Sequence, residues 1–520
     1  MKSFILTLVF LITILSNVGL PKTDAQAVTE KVRKYRMAHE IEILQKLMEF
    51  LAIPNVASDS VNIRKNAQWL ETELKKRGFK TQLLQTEGSP PDVYAELILD
   101  TTKPTVIFYA HFDGQPVVAE HWQSNPWQPI LRSRSLKEGG EIVSLEHLHP
   151  PVDGELRVYA RSASDDKSPI IALLTAFDAL KASEIIPSVN IKFFFEGEEE
   201  AGSAHLPQII QRYQMLLKGD VWLICDGPVH QTRKVQVYFG ARGVMGLEMK
   251  VYGAIRGLHS GHYGNWAPNP AVLLSHLLSS MRDTKANILI KNYYDDVRPL
   301  TQAERRALQK IPAIESRLKE ELGLAWTEGN DVSITERIMQ PALNIRGLQA
   351  GAVGRRARNV IPTEAVASID FRLVPNQTPD RVRQLVERHI KNQGFHIVYE
   401  EPDINTRRQY PKIIKLRWGK GYPPARTDMD LPVARAVVKV IEEALGTEIV
   451  ELPTLGGSIP MYLFLDVLKT PVIGVPMVNH DNNQHAPNEN LRVQNLWDGI
   501  EIYANLMARL GNFLNRSGNR

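Results

Sequence analysis

The sequence is almost without cysteine. Cys225 is the only one among 520 residues, so no intrachain disulfide can form and packing must hold the fold together. The chain also lacks basic runs, and 62 Lys and Arg nearly balance 58 Asp and Glu, which leaves a formal net charge of +4. This balance gives no indication of a nucleic-acid or lipid-surface partner.

Long apolar runs are scarce, and the one at the N-terminus stands alone. A largely apolar segment, Phe4 to Leu15, follows Lys2, and Ala25-Gln26-Ala27 then places small residues where a signal peptidase reads. This pattern predicts a cleaved signal peptide over residues 1–27, a mature chain from Val28 and an exported protein, periplasmic or extracellular. An uncleaved membrane anchor is the alternative, although the run is shorter than the ~20 residues of a spanning helix.

Internal repeats and low-complexity tracts are absent too, and the composition, 43% hydrophobic and 23% charged, is that of a globular protein. Strand-like and helical segments alternate over 28–240 and return over 426–520. This order predicts an α/β domain with a mixed, mainly parallel sheet sandwiched by helices. Between the two parts, residues 241–425 follow the order β-α-β-β-α-β of a ferredoxin-like α+β sandwich, with a charged helical insertion near 286–340.

Acidic and imidazole side chains end three apolar strand-like segments or precede a predicted helix. They are His111, Asp113, Asp165, Asp166, Glu196, Glu198, Glu199, Glu200 and Asp226. Taken singly, each has an ordinary interpretation as a turn residue, a helix cap or a solvated acid. Together they would meet at one sheet edge, where buried carboxylates without a cation are costly. The set indicates a metal site whose nitrogen and oxygen ligands suit Zn²⁺, with Mn²⁺ or Co²⁺ as alternatives.

Three more motifs carry candidate residues. His259 lies in LHSGHYGN and His485 in NHDNNQHAPNEN, and a surface-loop histidine is the alternative for each. The segment GGSIP, at 456–460, is a glycine-rich turn before a predicted helix, and its amides could receive an anionic group. An ordinary tight turn is the alternative there.

Taken together, these motifs resemble those of the di-zinc exopeptidase family, peptidase family M20, which contains carnosinase, the cytosolic non-specific dipeptidase, aminoacylase and glutamate carboxypeptidase. The matching segments are HFDGQP, HWQSNPW, SASDDKSP, EGEEEAGS, CDG, HSGHYG, NVIP, DFRLVPN, GGSIP and QHAPNEN, in family order across nearly all of the mature chain. HWQSNPW, the helical insertion and the DDK sequence make the chain similar to the dipeptidase branch. The resemblance implies a zinc-exopeptidase fold with an inserted lid and dimerisation domain.

The resemblance further implies two Zn²⁺ ions per subunit. The implied ligands are His111 and Asp226 on one ion, Glu200 and His485 on the other, and Asp165 bridging both. Asp113 would orient His111. Glu199 would be the general base for a hydroxide that the two ions share.

Substrate-binding residues and a partner subunit are also implied by the resemblance. His259 would reach the active site of a partner in a homodimer formed through the inserted domain, and would stabilise the tetrahedral oxyanion there. Arg372, with Gly457 and Ser458 of the GGS turn, would hold the terminal carboxylate of the substrate, and Asn359 of NVIP would also bind substrate.

These residues predict a secreted or periplasmic metallopeptidase that hydrolyses dipeptides or short peptides with a free C-terminal carboxylate. An N-acyl amino acid amidohydrolase of the aminoacylase type is the nearer alternative, because the same chemistry serves any amide beside a free carboxylate. An inactive dimeric binding homologue is a third interpretation, which the retention of every ligand and base position disfavours. We expect no nucleic-acid partner and no membrane association after removal of the signal.

Overall fold

The computed structural model describes residues 24–329 and 332–514. The helices are α1 Asp24–Ala38, α2 Glu40–Leu51, α3 Ser60–Lys76, α4 Lys167–Ala182, α5 Leu206–Arg212, α6 Ser260–Tyr263, α7 Pro270–Met281, α8 Gln302–Lys310, α9 Glu315–Glu321, α10 Ile334–Ile338, α11 Pro379–Asn392, α12 Ile404–Gln409, α13 Pro432–Leu445 and α14 Val493–Leu514. The strands are β1 Lys80–Leu84, β2 Asp92–Leu97, β3 Thr105–His111, β4 Ile130–Arg132, β5 Ile142–Val143, β6 Arg157–Tyr159, β7 Asn190–Glu196, β8 Val221–Ile224, β9 Gln236–Tyr238, β10 Gly240–Ala241, β11 Gly243–Tyr252, β12 Leu258–His259, β13 Ala342–Ala350, β14 Val360–Ile361, β15 Glu364–Leu373, β16 His396–Val398, β17 Ile413–Trp418, β18 Ala425–Arg426, β19 Val450–Leu452, β20 Val472–Gly474 and β21 Asn490–Arg492.

The largest sheet has eight strands in the order β1-β2-β7-β3-β8-β20-β9-β19. Its central strands β7, β3, β8 and β20 run parallel, whereas β1 and β2 join antiparallel at one edge. The strands β7 and β8 are buried along their whole length, which explains why their sequences are continuous apolar runs. This mixed sheet confirms the predicted α/β class.

Helices cover both faces of the large sheet. On one face, α1, α4, α13 and α14 pack against one another over a core that includes Phe108, Phe193 and Tyr503. The core on the opposite face includes Ile209 of α5 and Trp222 of β8. There the rings of Trp222 and Phe464 stack with their centroids 4.2 Å apart. The large sheet therefore lies between two layers of buried side chains.

A second sheet has five strands in the order β13-β15-β11-β17-β16. It packs against α7 and α11 around its own core, which includes Leu274, Phe371 and Val386. The strand β17 was not predicted, because Lys415 and Arg417 interrupt the apolar residues that it buries. The domain limits 28–240, 241–425 and 426–520 stay predictions.

The described chain begins in a helix that contains the predicted signal-peptidase site. Ala25 and Val28 are buried, and Thr29 accepts a hydrogen bond of 2.9 Å from Asn505 of α14. The predicted cleavage would therefore cut α1 where it packs on the last helix. Residues 1–23 of the predicted signal peptide, 1–27, lie outside the described residues. Over 24–329 and 332–514, no helix is long and apolar enough to cross a membrane.

Candidate metal centre and active site

The candidate ligands meet at the carboxyl ends of three adjacent strands. β3 pairs in parallel with both β7 and β8, so His111 at the end of β3 lies between the segments that follow its two neighbours. Those segments carry Glu199 and Glu200 on one side and Asp226 on the other. The site thus lies where open α/β sheets usually bind ligands.

The loop before α4 brings Asp165 to the same place, and a buried carboxylate holds that loop. Glu489 accepts hydrogen bonds from the backbone N–H groups of Ser162, Ser164 and Asp165 at 2.9–3.0 Å. Its charge is balanced by Arg161, whose Nη1 donates at 2.7 Å. Glu489 therefore fixes the backbone that positions Asp165.

Two groups of possible metal ligands result. His111, Asp166 and Asp226 form one group, and Asp165, Glu200 and His485 form the other, with ligand atoms within 4.8 Å of one another in each group. Asp165 lies between them: its Oδ1 is 2.9 Å from His111 Nε2 and its Oδ2 is 3.1 Å from His485 Nε2. All five predicted ligands are thus brought together, and Asp165 has the position expected of a bridging residue.

The protonation equilibria of these groups reflect a local excess of negative charge. Burial, with repulsion from Asp165, raises the pKa of Glu200 to about 7 and that of Asp226 to about 6. The Asp165 carboxylate in turn raises the pKa of His485 to about 9. Burial also raises the pKa of Asp166, whose Oδ1 has no hydrogen-bond partner among the described residues.

This donor set fits a pair of divalent cations. Imidazole nitrogens and carboxylate oxygens without a thiolate suit Zn²⁺, Mn²⁺ or Co²⁺. Cys225 is buried, and its Sγ lies 3.8 Å from the carbonyl oxygen of Leu223, so it contributes no ligand. Added positive charge would offset the mutual repulsion that raises the carboxylate pKa values.

Asp113 connects the imidazole side of the site with the glutamates. Its two carboxylate oxygens accept hydrogen bonds from the backbone N–H groups of Glu199 and Glu200, both at 3.0 Å. His111 Nδ1 is 3.2 Å from the Asp113 carbonyl oxygen and 3.5 Å from its Oδ1. Asp113 therefore positions the glutamate turn as well as the His111 ring.

Glu199 differs from the other acids of its segment. Among the described residues, no hydrogen bond reaches its carboxylate, and burial together with Asp226 raises its pKa well above the usual value, although His111 opposes this shift. By contrast, Glu198 forms an ion pair with His205 at 2.9 Å. Glu196 is buried and accepts a hydrogen bond of 2.7 Å from the Tyr109 hydroxyl. Glu199 is thus an unengaged proton acceptor beside the ligand groups.

Two of the predicted substrate-binding residues are in direct contact. Arg372 Nη1 donates to Ser458 Oγ at 2.7 Å, and its Nε donates to Asp370 at 2.9 Å. The Gly457 carbonyl oxygen accepts a hydrogen bond of 3.2 Å from the Arg242 backbone. The charges of both Glu199 and Arg372 act on the Tyr422 hydroxyl: burial and Glu199 raise its pKa, and Arg372 lowers it.

His259 and Asn359 belong to neither of the two ligand groups. His259 ends β12 and is exposed, and its Nδ1 accepts a hydrogen bond of 3.1 Å from the Gly261 backbone. Asn359 is exposed, and its backbone carbonyl oxygen accepts a hydrogen bond of 2.9 Å from the Ser260 backbone N–H. No interaction between described residues joins either side chain to the candidate metal ligands. Their predicted roles stay predictions.

Sequence reasoning missed three residues of the site. They are Gln115, which donates to Glu200 Oε2 at 2.7 Å, Tyr422 and Glu489. Asp166 was among the candidate acids, but it was not predicted as a metal ligand, whereas the structure groups it with His111 and Asp226. Gln115 and Glu489 lie in the quoted motifs HFDGQP and QHAPNEN, but an isolated polar residue in a loop carries no pattern that would have distinguished it.

Comparison with known proteins shows similarity to one family of metallopeptidases along nearly the whole chain. Residues 107–509 match the family described as "Peptidase family M20/M25/M40". The human "Beta-Ala-His dipeptidase" is 28% identical over 92% of this chain and 92% of its own length. The "Cys-Gly metallodipeptidase" of Schizosaccharomyces pombe is 27% identical over 90% of this chain and 95% of its own length. A solved M20 metallo-carboxypeptidase from Sulfolobus solfataricus superposes with a TM-score of 0.74 at 27% identity, covering 91% of this chain and 99% of that chain.

The predicted export is wrong. The relatives that match along nearly the whole chain are described as dipeptidases, and those descriptions carry no support for an exported protein. The small residues that suggested a cleavage site belong instead to the first turn of α1, where Ala25 is buried.

Proposed function

Since the chain belongs to peptidase family M20/M25/M40, we propose that it is a metallo-dipeptidase that hydrolyses dipeptides or short peptides with a free C-terminal carboxylate. The observation that carries this proposal is the convergence of the two ligand groups on one sheet edge, beside the free carboxylate of Glu199. The two relatives described above, both dipeptidases by description, support the same substrate class.

The metal would be held by the residues of the two ligand groups, with Zn²⁺ as the proposed ion. His111 and Asp226 would bind one ion, Glu200 and His485 the other, and the two oxygens of Asp165 would face one ion each. When bound, a pair of divalent cations acidifies water and polarises a carbonyl group. Asp113 and Glu489 would keep the ligand-bearing segments in place through their backbone hydrogen bonds.

Glu199 is the proposed general base. Its carboxylate would accept a proton from the attacking water and deliver it to the nitrogen of the leaving amine. Its carboxylate suits both steps because no hydrogen bond from a described residue engages it, so its oxygens are available to take up the proton and release it.

Arg372 and Ser458 would bind the terminal carboxylate of the substrate. An arginine can donate two parallel hydrogen bonds to a carboxylate. The Ser458 hydroxyl lies 2.7 Å from Arg372 Nη1, so both groups could contact the same carboxylate. Tyr422, whose hydroxyl is influenced by the charges of both Glu199 and Arg372, would line the path from the carboxylate to the scissile bond. This arrangement would limit cleavage to bonds near a free C-terminus.

A substrate panel tests the proposal. We expect the zinc-loaded protein to hydrolyse Ala-Ala about 30- to 150-fold faster in kcat/KM than the C-terminal amide of Ala-Ala, because the amide loses charged hydrogen bonds worth about 2–3 kcal/mol. N-acetylalanine is the comparison for an amidohydrolase. Preferential hydrolysis of N-acetylalanine over every dipeptide, measured by mass spectrometry, would contradict dipeptidase function.

We also propose that two copies of the chain form a homodimer through the 241–425 region, with His259 acting in the partner's site. His259 and Asn359 are exposed, and no interaction between described residues joins them to the ligand groups of their own chain, so we propose that they act in a second subunit. His259 would then donate a hydrogen bond to the oxyanion of the transition state.

Subunit mixing tests this arrangement. We expect His259→Ala and Glu199→Gln proteins to be nearly inactive alone and to regain activity when their subunits exchange, because one site of the mixed dimer keeps both groups. The amount of mixed dimer is measured by native mass spectrometry. Mixed dimers without regained activity would contradict catalysis in trans.

A further inference from the structure

A cavity of about 680 Å³ lies beside the proposed carboxylate site and has no role in the mechanism above. It is bounded by α9, α10 and the start of β13, and its lining includes Arg242, Leu318, Ile334, Ile338, Leu343 and Asn344. The strand β13 pairs with β15 so that Ala342 lies opposite Arg372 and Asn344 opposite Asp370. The cavity therefore adjoins the strand that carries Arg372.

Arg242 is the buried cation of this cavity. It is 8% exposed, and no salt bridge joins it to a carboxylate among the described residues. Its Nη2 donates to the Gln340 carbonyl oxygen at 3.1 Å, and its Nε has no partner. A buried guanidinium without a counter-ion is costly, so its presence calls for an explanation.

Asp370, the carboxylate whose charge acts on Arg242, is already hydrogen-bonded to other residues. Asp370 accepts from Arg372 Nε at 2.9 Å and from Asn344 Nδ2 at 3.4 Å. Burial and the nearby charge of Arg372 lower the pKa of Arg242 to about 10. Asp370 is thus hydrogen-bonded to Arg372, and Arg242 has no ion pair with any described residue.

Arg242 is also tied to the proposed substrate site through its backbone. Its N–H donates to the carbonyl oxygen of Gly457, the residue before Ser458, at 3.2 Å. A substrate whose terminal carboxylate contacts Arg372 and Ser458 would therefore have the side chain of its last residue within reach of this cavity.

We propose that the cavity receives the side chain of the C-terminal residue of the substrate, and that Arg242 selects a side-chain carboxylate there. The inference rests on the proposed function and specifies its substrate class as dipeptides that end in an acidic residue. The methylene groups of such a side chain would contact Ile338 and Leu343, and its carboxylate would supply the negative charge that Arg242 lacks.

The test compares Ala-Glu with Ala-Gln, which differ by one charge at nearly constant shape. We expect the zinc-loaded wild-type protein to prefer Ala-Glu about 10- to 100-fold in kcat/KM, the range of one charged hydrogen-bonding contact. In an Arg242→Met protein the ratio should fall to near one, and in Arg242→Lys it should be intermediate. The matched control is Arg282→Met: Arg282 lines the same cavity but is paired with Glu328 at 2.6 Å, so the ratio should stay at the wild-type value.

Thermal unfolding and product binding provide readouts that do not depend on catalysis. Arg242→Met should unfold at the wild-type temperature or above it, because the variant no longer buries an unpaired charge. By calorimetry, L-glutamate should bind the wild-type protein about tenfold more tightly than L-glutamine does, and should lose this advantage in Arg242→Met.

Other results would overturn the assignment. A wild-type Ala-Glu to Ala-Gln ratio near one, with equal binding of the two amino acids, would show that the cavity does not select an acid. Equal losses on both substrates in Arg242→Met would mean that Arg242 serves the terminal carboxylate instead. If no dipeptide is hydrolysed, the proposed dipeptidase function is contradicted, and the glutamate and glutamine affinities still decide for or against the acid-binding cavity.

Discussion

Replacing Glu199 by Gln is expected to lower kcat by about 10²- to 10⁴-fold, the usual contribution of a positioned general base. The amide keeps the shape of the side chain but cannot accept the proton of the attacking water. No hydrogen bond between described residues fixes the Glu199 carboxylate, so the substitution should leave the surrounding structure intact. The metal content of the variant should therefore equal that of the wild-type protein, although its kcat is much lower.

The neighbouring Glu198 supplies the control. Its carboxylate is already bound to His205 at 2.9 Å, so Glu198→Gln should keep kcat within a few fold of wild type. Steady-state kinetics on Ala-Ala, with metal content determined by mass spectrometry, measure both variants. A Glu199→Gln protein with at least a tenth of the wild-type kcat would contradict its role as the base.

Asp165→Asn is expected to reduce metal binding and activity together. The two carboxylate oxygens of Asp165 face His111 and His485 at 2.9 and 3.1 Å, so both ligand groups depend on this one residue. An amide offers a single neutral oxygen, which cannot balance the charge of two cations. We expect fewer than two metal ions per chain and a loss of activity of about 10³-fold or more, comparable with the removal of a main electrostatic contact.

Asp153→Asn is the control for this prediction, because it removes one carboxylate charge outside the site. It tests whether the loss of a negative charge alone lowers metal content and activity. Asp153 is half exposed and pairs with Arg134 at 2.8 Å, so Asp153→Asn should keep two metal ions and wild-type activity. An Asp165→Asn protein that retains two tightly bound ions would contradict the bridging position of Asp165.

The α/β class and the edge of the sheet could be predicted because they depend on the order of apolar and polar residues within short segments. β7 and β8 are buried along their length, so their sequences are uninterrupted apolar runs, and the polar residues at their ends then defined the edge of the sheet. His111, Asp165, Glu200, Asp226 and His485 could be proposed as ligands only as a set, because each has a common structural interpretation alone. The structure brings all five together.

The parts that could not be predicted depend on contacts between distant segments. Glu489 accepts hydrogen bonds from the 162–165 loop more than 320 residues away, and no sequence period reports such a contact. Arg242 is unusual only because it is buried without an acid. The small residues of Ala25-Gln26-Ala27 are compatible both with a signal-peptidase site and with the first turn of a helix. Only the packing of α1 against α14 distinguishes the two interpretations.

Metal titration tests most directly whether the hydrolysis of dipeptides depends on two bound metal ions. Chelator-treated protein should show no hydrolysis of Ala-Ala, and activity should rise with added Zn²⁺ until about two equivalents per chain are bound. Full hydrolysis by protein shown by mass spectrometry to be free of metal would contradict the account, as would maximal activity at one equivalent.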